Sequence, residues 1–78
     1  MTKEDNIFEL YDKLNKSGAR GEAAKYIANL CGVKVVTVKG HWLVNRQFPD
    51  YVEDGVKDEI IAYLQNVNLL QNKLATSN

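Results

Sequence analysis

Cys31 and His41 are the only cysteine and the only histidine of the 78-residue sequence. Nucleophilic catalysis by such a pair needs a thiolate beside an imidazole, with a third group to orient the base. Cys31 falls where a helix should turn its apolar side inward, and a buried thiol behaves as a small hydrophobe. One cysteine and one histidine cannot complete a four-ligand zinc site, and a lone cysteine makes no internal disulfide. Gly18, Gly21, Gly32, Gly40 and Gly55 are scattered, not gathered into a phosphate-cradling loop. The carboxylates Asp50, Glu53, Asp54, Asp58 and Glu59 read as a solvated helix face. These residues lead us to expect no enzyme, no cofactor and no metal. What remains is the chemistry of contact. Lys34, Thr37 and Lys39 place two ammonium groups and a hydroxyl in one short stretch, donors that suit phosphate oxygens.

The stretch that must position them runs from Ile27 to Val38, I-A-N-L-C-G-V-K-V-V-T-V. Ala28, Gly32 and Val38 meet the linked steric demands of two helices joined by a tight turn. A small residue is needed where the second helix crosses the first, and a residue that tolerates positive φ is needed in the turn. An aliphatic side chain must then drop back onto the first helix. Ile27 and Val33 fill the remaining inward places. Local propensity offers a competing arrangement, because V-K-V-V-T-V-K-G-H-W-L-V is rich in β-branched residues and Lys39-Gly40 suits a hairpin turn.

The flanking segments read as helices. Ile7, Leu10, Tyr11 and Leu14 form one apolar stripe over Lys3–Lys16, with Thr2 as N-cap, Asp5 behind it and Ser17-Gly18 as the stop. Gly21–Leu30 is the expected second helix, with Ala24, Ile27 and Ala28 inward. The third is expected from Lys34 or Val35 to about Asn45, followed by a loop to Phe48. Pro49 and Asp50 then suit the first turn of a fourth helix running to Leu74, interrupted at most weakly at Gly55.

Lysines plus arginines number 10 and aspartates plus glutamates 10, so the formal net charge is zero, but the charges are segregated. Residues 1 to 12 hold Lys3 against Glu4, Asp5, Glu9 and Asp12, a balance of −3. Residues 13 to 48 hold Lys13, Lys16, Arg20, Lys25, Lys34, Lys39 and Arg46 against Glu22 alone, a balance of +6. Residues 49 to 78 return to −3, with Lys57 and Lys73 against five carboxylates. A nucleic-acid duplex responds to the local field, which here centres on the turn and the third helix.

The pattern IA-x-x-x-GV-x-x-x-TV resembles the DNA-reading helix-turn-helix of bacterial and phage repressors. W-L-V-N-R-Q-F-P-D-Y-V resembles the continuation of small phage Cro-like repressors, and T-V-K-G-H is similar to a stretch of LuxR-type domains. Where the chain resembles the lactose-repressor family, the resemblance implies that Val35, Val36 and Gly40 face the bases. Two valines can press only on thymine methyl groups, and glycine offers no side chain. Lys34, Thr37 and Lys39, at the start and flank of the third helix, are expected on phosphate. Arg20 and Lys25 flank the second helix, and Arg46 lies in the loop after the third; all three are expected to approach the DNA backbone in this docking mode. His41 is expected at the edge, donating to phosphate, while Trp42 closes the core.

Val56, Ile60, Tyr63, Val67, Leu70 and Leu74 recur at steps of four and three, a heptad-like seam on the last helix. We expect a homodimer through Ile60, Tyr63, Val67, Leu70 and Leu74. The competing arrangement breaks the helix near Asn66–Asn68 and folds a short fifth helix onto the same core. The expected fold is therefore all-α, a four- to five-helix helix-turn-helix domain with a long C-terminal helix. Residues 1–66 form the DNA-binding domain and 67–78 a helical extension. Forty-five per cent of residues are hydrophobic, without an apolar run long enough to span a membrane. The expected partners are double-stranded DNA and a second copy, in the cytoplasm, without a membrane. The expected role is a transcriptional regulator of phage or mobile-element type. A protein-binding adaptor or anti-regulator is the alternative.

Overall fold

The computed structural model describes the backbone of residues 2–14 and 17–76, and the side chains of residues 2–14 and 18–71. The fold is all-α, with four helices among the described residues: α1 (Lys3–Asp12), α2 (Ser17–Cys31), α3 and the long α4 (Asp54–Thr76). α3 is composite, an α-helical turn Val35–Thr37, a π-helical segment Val38–Trp42 and a final α turn Leu43–Asn45. No strand occurs among the described residues, so the competing hairpin over Val33–Val44 does not form.

α1 starts where expected, on a reciprocal cap. The Thr2 hydroxyl accepts from the Asp5 N–H at 3.1 Å, and the Asp5 carboxylate accepts from the Thr2 N–H at 3.3 Å. It ends earlier than its stripe implied, at Asp12, and Ser17-Gly18 open α2 instead of closing α1. The reason lies in α4. Asn68 donates to the Leu10 carbonyl at 3.1 Å and Gln71 to the Lys13 carbonyl at 2.7 Å, so two carbonyls at the end of α1 are capped by side chains of another helix.

α2 and α3 meet as the steric argument requires. Ala28 and Val38 are both buried, and Gly32 takes φ +71° in the turn. The Val33 N–H reaches back to the Ala28 carbonyl at 3.0 Å, the long-range closure of a left-handed C-terminal turn. α3 ends in the same way without a glycine. Arg46 adopts φ 54°, and the Gln47 N–H bonds the Trp42 carbonyl at 3.0 Å.

The fourth helix begins at Asp54 rather than Asp50. Pro49 opens a turn closed by the Val52 N–H on the Pro49 carbonyl at 3.1 Å. That turn tucks Phe48 and Val52 into the core. The Phe48 N–H is held by the Glu4 carboxylate at 3.0 Å, which ties the loop to the start of α1. α4 then runs without interruption through Gly55 and through Asn66–Asn68. Along it α1 packs lengthwise, and Ile7, Phe8, Leu14, Ile60 and Leu64 belong to one core shared with α2. No helix among the described residues is long and apolar enough to cross a membrane.

Candidate nucleic-acid interface

α3 divides cleanly into two sides. Val38 and Trp42 are buried, four residues apart, and the Trp42 ring lies 5.4 Å from that of Phe48. Val35, Thr37 and Leu43 are half-buried at the margins, with Val35 and Leu43 packed on the core. Lys34, Val36, Lys39, Gly40, His41 and Val44 are exposed. The π segment is visible in the Leu43 N–H, which bonds the Val38 carbonyl five residues back. Lys34 and Lys39 form no ion pair among the described residues, and no carboxylate occurs from Val33 to Pro49. This face therefore carries uncompensated positive charge.

The expected base-facing set is redistributed. Val36 and Gly40 do lie on the outer side, whereas Val35 turns toward the core. Val44, which sequence spacing did not single out, is 72% exposed and matches Val36 at 71%. The signal that could have found it was its four-residue step from Gly40, obscured because an ideal α-helix carries Val44 around the axis from Val36.

The other expected phosphate contacts are engaged within the chain. The Arg46 guanidinium bonds the Asp12 carboxylate and lies 5.9 Å over the Phe8 ring. Arg20 donates to the Asp12 carbonyl at 3.1 Å and lies 5.7 Å over Tyr11. Both arginines thus converge on Asp12 and fasten α2 and the end of α3 to α1. Lys25 pairs with Glu22 at 3.8 Å, one turn back on the surface of α2. All three remain substantially exposed, but their charges are partly answered before any ligand arrives.

Cys31 and His41 line separate pockets. His41 borders a shallow depression of about 270 Å³ with Trp42, Asn45, Gln47, Phe48, Pro49 and Asp50. Cys31 lines another with Leu30, Tyr51, Val52, Glu53 and Val56. Cys31 is half-buried, less enclosed than its place in the turn suggested, and burial raises its thiol pKa.

The seam on α4 is largely spent inside the monomer. Ile60 is fully buried, which corrects its assignment to a surface between copies. The Tyr63 ring stacks on Tyr26 at 4.0 Å with the planes 5° apart, and burial, helped by Glu22 and Tyr26, raises its phenol pKa. Val67 packs against the core. Leu70 stays 53% exposed beside Leu69 at 67%, and the Leu74 side chain lies outside the described residues. No protein-family model, no curated protein and no solved structure matches the chain.

Proposed function

We propose that this chain is a sequence-specific DNA-binding transcriptional regulator, repressor-like and of phage or mobile-element type, acting as a homodimer on a short operator. One observation carries the reading: α3 buries Val38 and Trp42 and turns outward a face that holds Lys34, Lys39 and His41 without a single carboxylate. A helix of that charge, seated by a turn on a preceding helix, suits the major groove, with its lysines on phosphate and its uncharged residues on base edges. The resemblance of IA-x-x-x-GV-x-x-x-TV to repressor units supports the same assignment. Two copies double the site and set two such helices about 34 Å apart, one turn of duplex. Leu69 and Leu70 are the apolar surface of α4 left for a second copy.

Selection of bound duplexes from a random pool, repeated at two salt concentrations, tests the proposal. The expected result is enrichment of a two-fold symmetric sequence, with affinity falling as salt rises. Failure to enrich any duplex at low salt overturns it. That outcome favours a protein-binding adaptor, a reading to which the exposed Val36 and Val44 and the zero net charge lend support.

A further inference from the structure

Gly40 is unexplained by the fold. It lies in the interior of a helix, where glycine is less favourable than alanine, and it has no positive φ. A Cβ placed on it would meet nothing within 4 Å. No turn and no close intramolecular approach calls for glycine here, as none does at the helical Gly18, Gly21 and Gly55. What distinguishes Gly40 is the exposed apolar face around it, open to an occupant outside the chain.

The residues in line with Gly40 indicate what that is. In an α-helix each step of four residues overshoots a full turn by about 40°. Val36, Gly40 and Val44 would then spread across a broad arc. The π segment Val38–Trp42 contains wider turns, closed on bonds five residues long, and these absorb the overshoot. Val38 and Trp42, one four-residue step apart, both lie in the core, and on the opposite side the widening brings Val36, Gly40 and Val44 toward one exposed row. The two valines are each more than 70% exposed, an unusual position for large aliphatic groups with a core close by. Lys34 and Lys39 flank the row without ion pairs among the described residues, so the occupant must carry negative charge beside apolar groups.

Resting on the DNA reading above, we infer that the Val36–Gly40–Val44 row selects its site by the C5-methyl groups of thymine. Gly40 lets the α3 backbone close on the floor of the major groove. Val36 and Val44 then straddle it and cover methyl groups, with Lys34 and Lys39 on the flanking phosphates. A polyanion that exposes methyl groups in its groove meets both requirements, and among the base pairs of DNA only those containing thymine supply them. The site is thus rich in A·T pairs and read by apolar contact rather than by bidentate hydrogen bonds.

The test uses the duplex enriched from a random pool, prepared with thymine or with uracil, which differ only in that methyl group. Each contacted thymine replaced by uracil is expected to weaken binding about fourfold, the worth of one buried methyl-sized group. Val36→Ala and Val44→Ala should lose a similar factor on the thymine duplex and become indifferent to uracil at one position each. Gly40→Ala should raise thermal stability while weakening DNA binding, and Gly40→Leu should weaken binding at least tenfold with the helix content intact. Equal affinity for the thymine and uracil duplexes overturns the inference. If Lys39→Ala still weakens binding in that case, the DNA reading survives without it. If no duplex is enriched at all, both fall together.

Discussion

Asn68 offers the sharpest test of how the fold is held. It is a polar side chain only 9% exposed, inside a helix that the competing reading of the sequence breaks near Asn66–Asn68. Its amide donates to Leu10 O at 3.1 Å and to Leu64 O at 2.9 Å, and its oxygen accepts from Gln71 at 3.3 Å. Asn68→Ala removes all three. The Leu10 carbonyl keeps a longer bond from the Lys13 N–H at 3.3 Å, so it is not wholly orphaned. At about 1 kcal/mol net per buried hydrogen bond, with the Gln71 bond near the surface counting for little, the loss is about 2 kcal/mol. A domain of this size has a total stability on the order of 4–12 kcal/mol. The midpoint of thermal unfolding should therefore drop by roughly 8–15 °C.

Asn68→Asp sharpens the argument. A carboxylate cannot donate to either carbonyl, and its desolvation raises its pKa in the folded state. The folded state then binds a proton more readily than the unfolded one, so the variant should regain stability as pH falls through that raised pKa. Urea unfolding followed by circular dichroism at pH 4.5 and pH 7.5 measures both effects. If Asn68→Ala unfolds within about 0.5 kcal/mol of the parent and Asn68→Asp shows no gain at acid pH, the capping of α1 by α4 does not stabilise the fold.

Gly32→Ala forces a Cβ into φ +71° and should cost about 1 kcal/mol, a fall of roughly 4–8 °C in the unfolding midpoint. Arg46 holds φ 54° without being glycine, so Arg46→Gly should unfold above Arg46→Ala although both lose the Asp12 pair; the reverse order would place the value of Arg46 in its side chain alone. Lys3, Cys31 and Tyr63 all have raised pKa values, from the Asp58 hydrogen bond for Lys3 and from burial for the other two. In each case the folded state keeps its proton longer than the unfolded chain. Stability should hold up to about pH 8.5 and then decline as pH rises toward 11, and Tyr63→Phe should flatten part of that decline in a urea titration.

How much of this was legible in the sequence depends on whether a signal is local. The Thr2 cap, the Gly32 turn and the inward Ala28, Val38 and Trp42 follow from residue types at fixed spacing, and the structure contains them all. The π segment is not written in any local preference. It is recorded by the Leu43 N–H on the Val38 carbonyl, a bond that no residue type in the segment calls for, while Val44 is exposed because it stands two residues on from the buried Trp42, on the opposite side of the helix. The left-handed Arg46 was hidden because positive φ is signalled by glycine or asparagine, and Asn45 stands next to it. A break near Asn66–Asn68 stayed open as the alternative because asparagine competes with the helix backbone, yet the Asn68 amide donates across the core to the Leu10 carbonyl near the end of α1. The seam on α4 was recognised as apolar, but spacing alone could not tell whether α1 and α2 or a second copy would cover it. Ile60, Tyr63 and Val67 are covered from within.

The claim that α3 is the DNA-contacting surface is most directly tested by titrating the isotope-labelled chain with a short duplex at low salt and following its backbone amide resonances. The largest shifts are expected from Lys34 to Val44. Lys34→Ala and Lys39→Ala should each lower the salt dependence of binding by about one unit of slope. Resonances that shift only along α1 or α4, or do not shift at all, would contradict it.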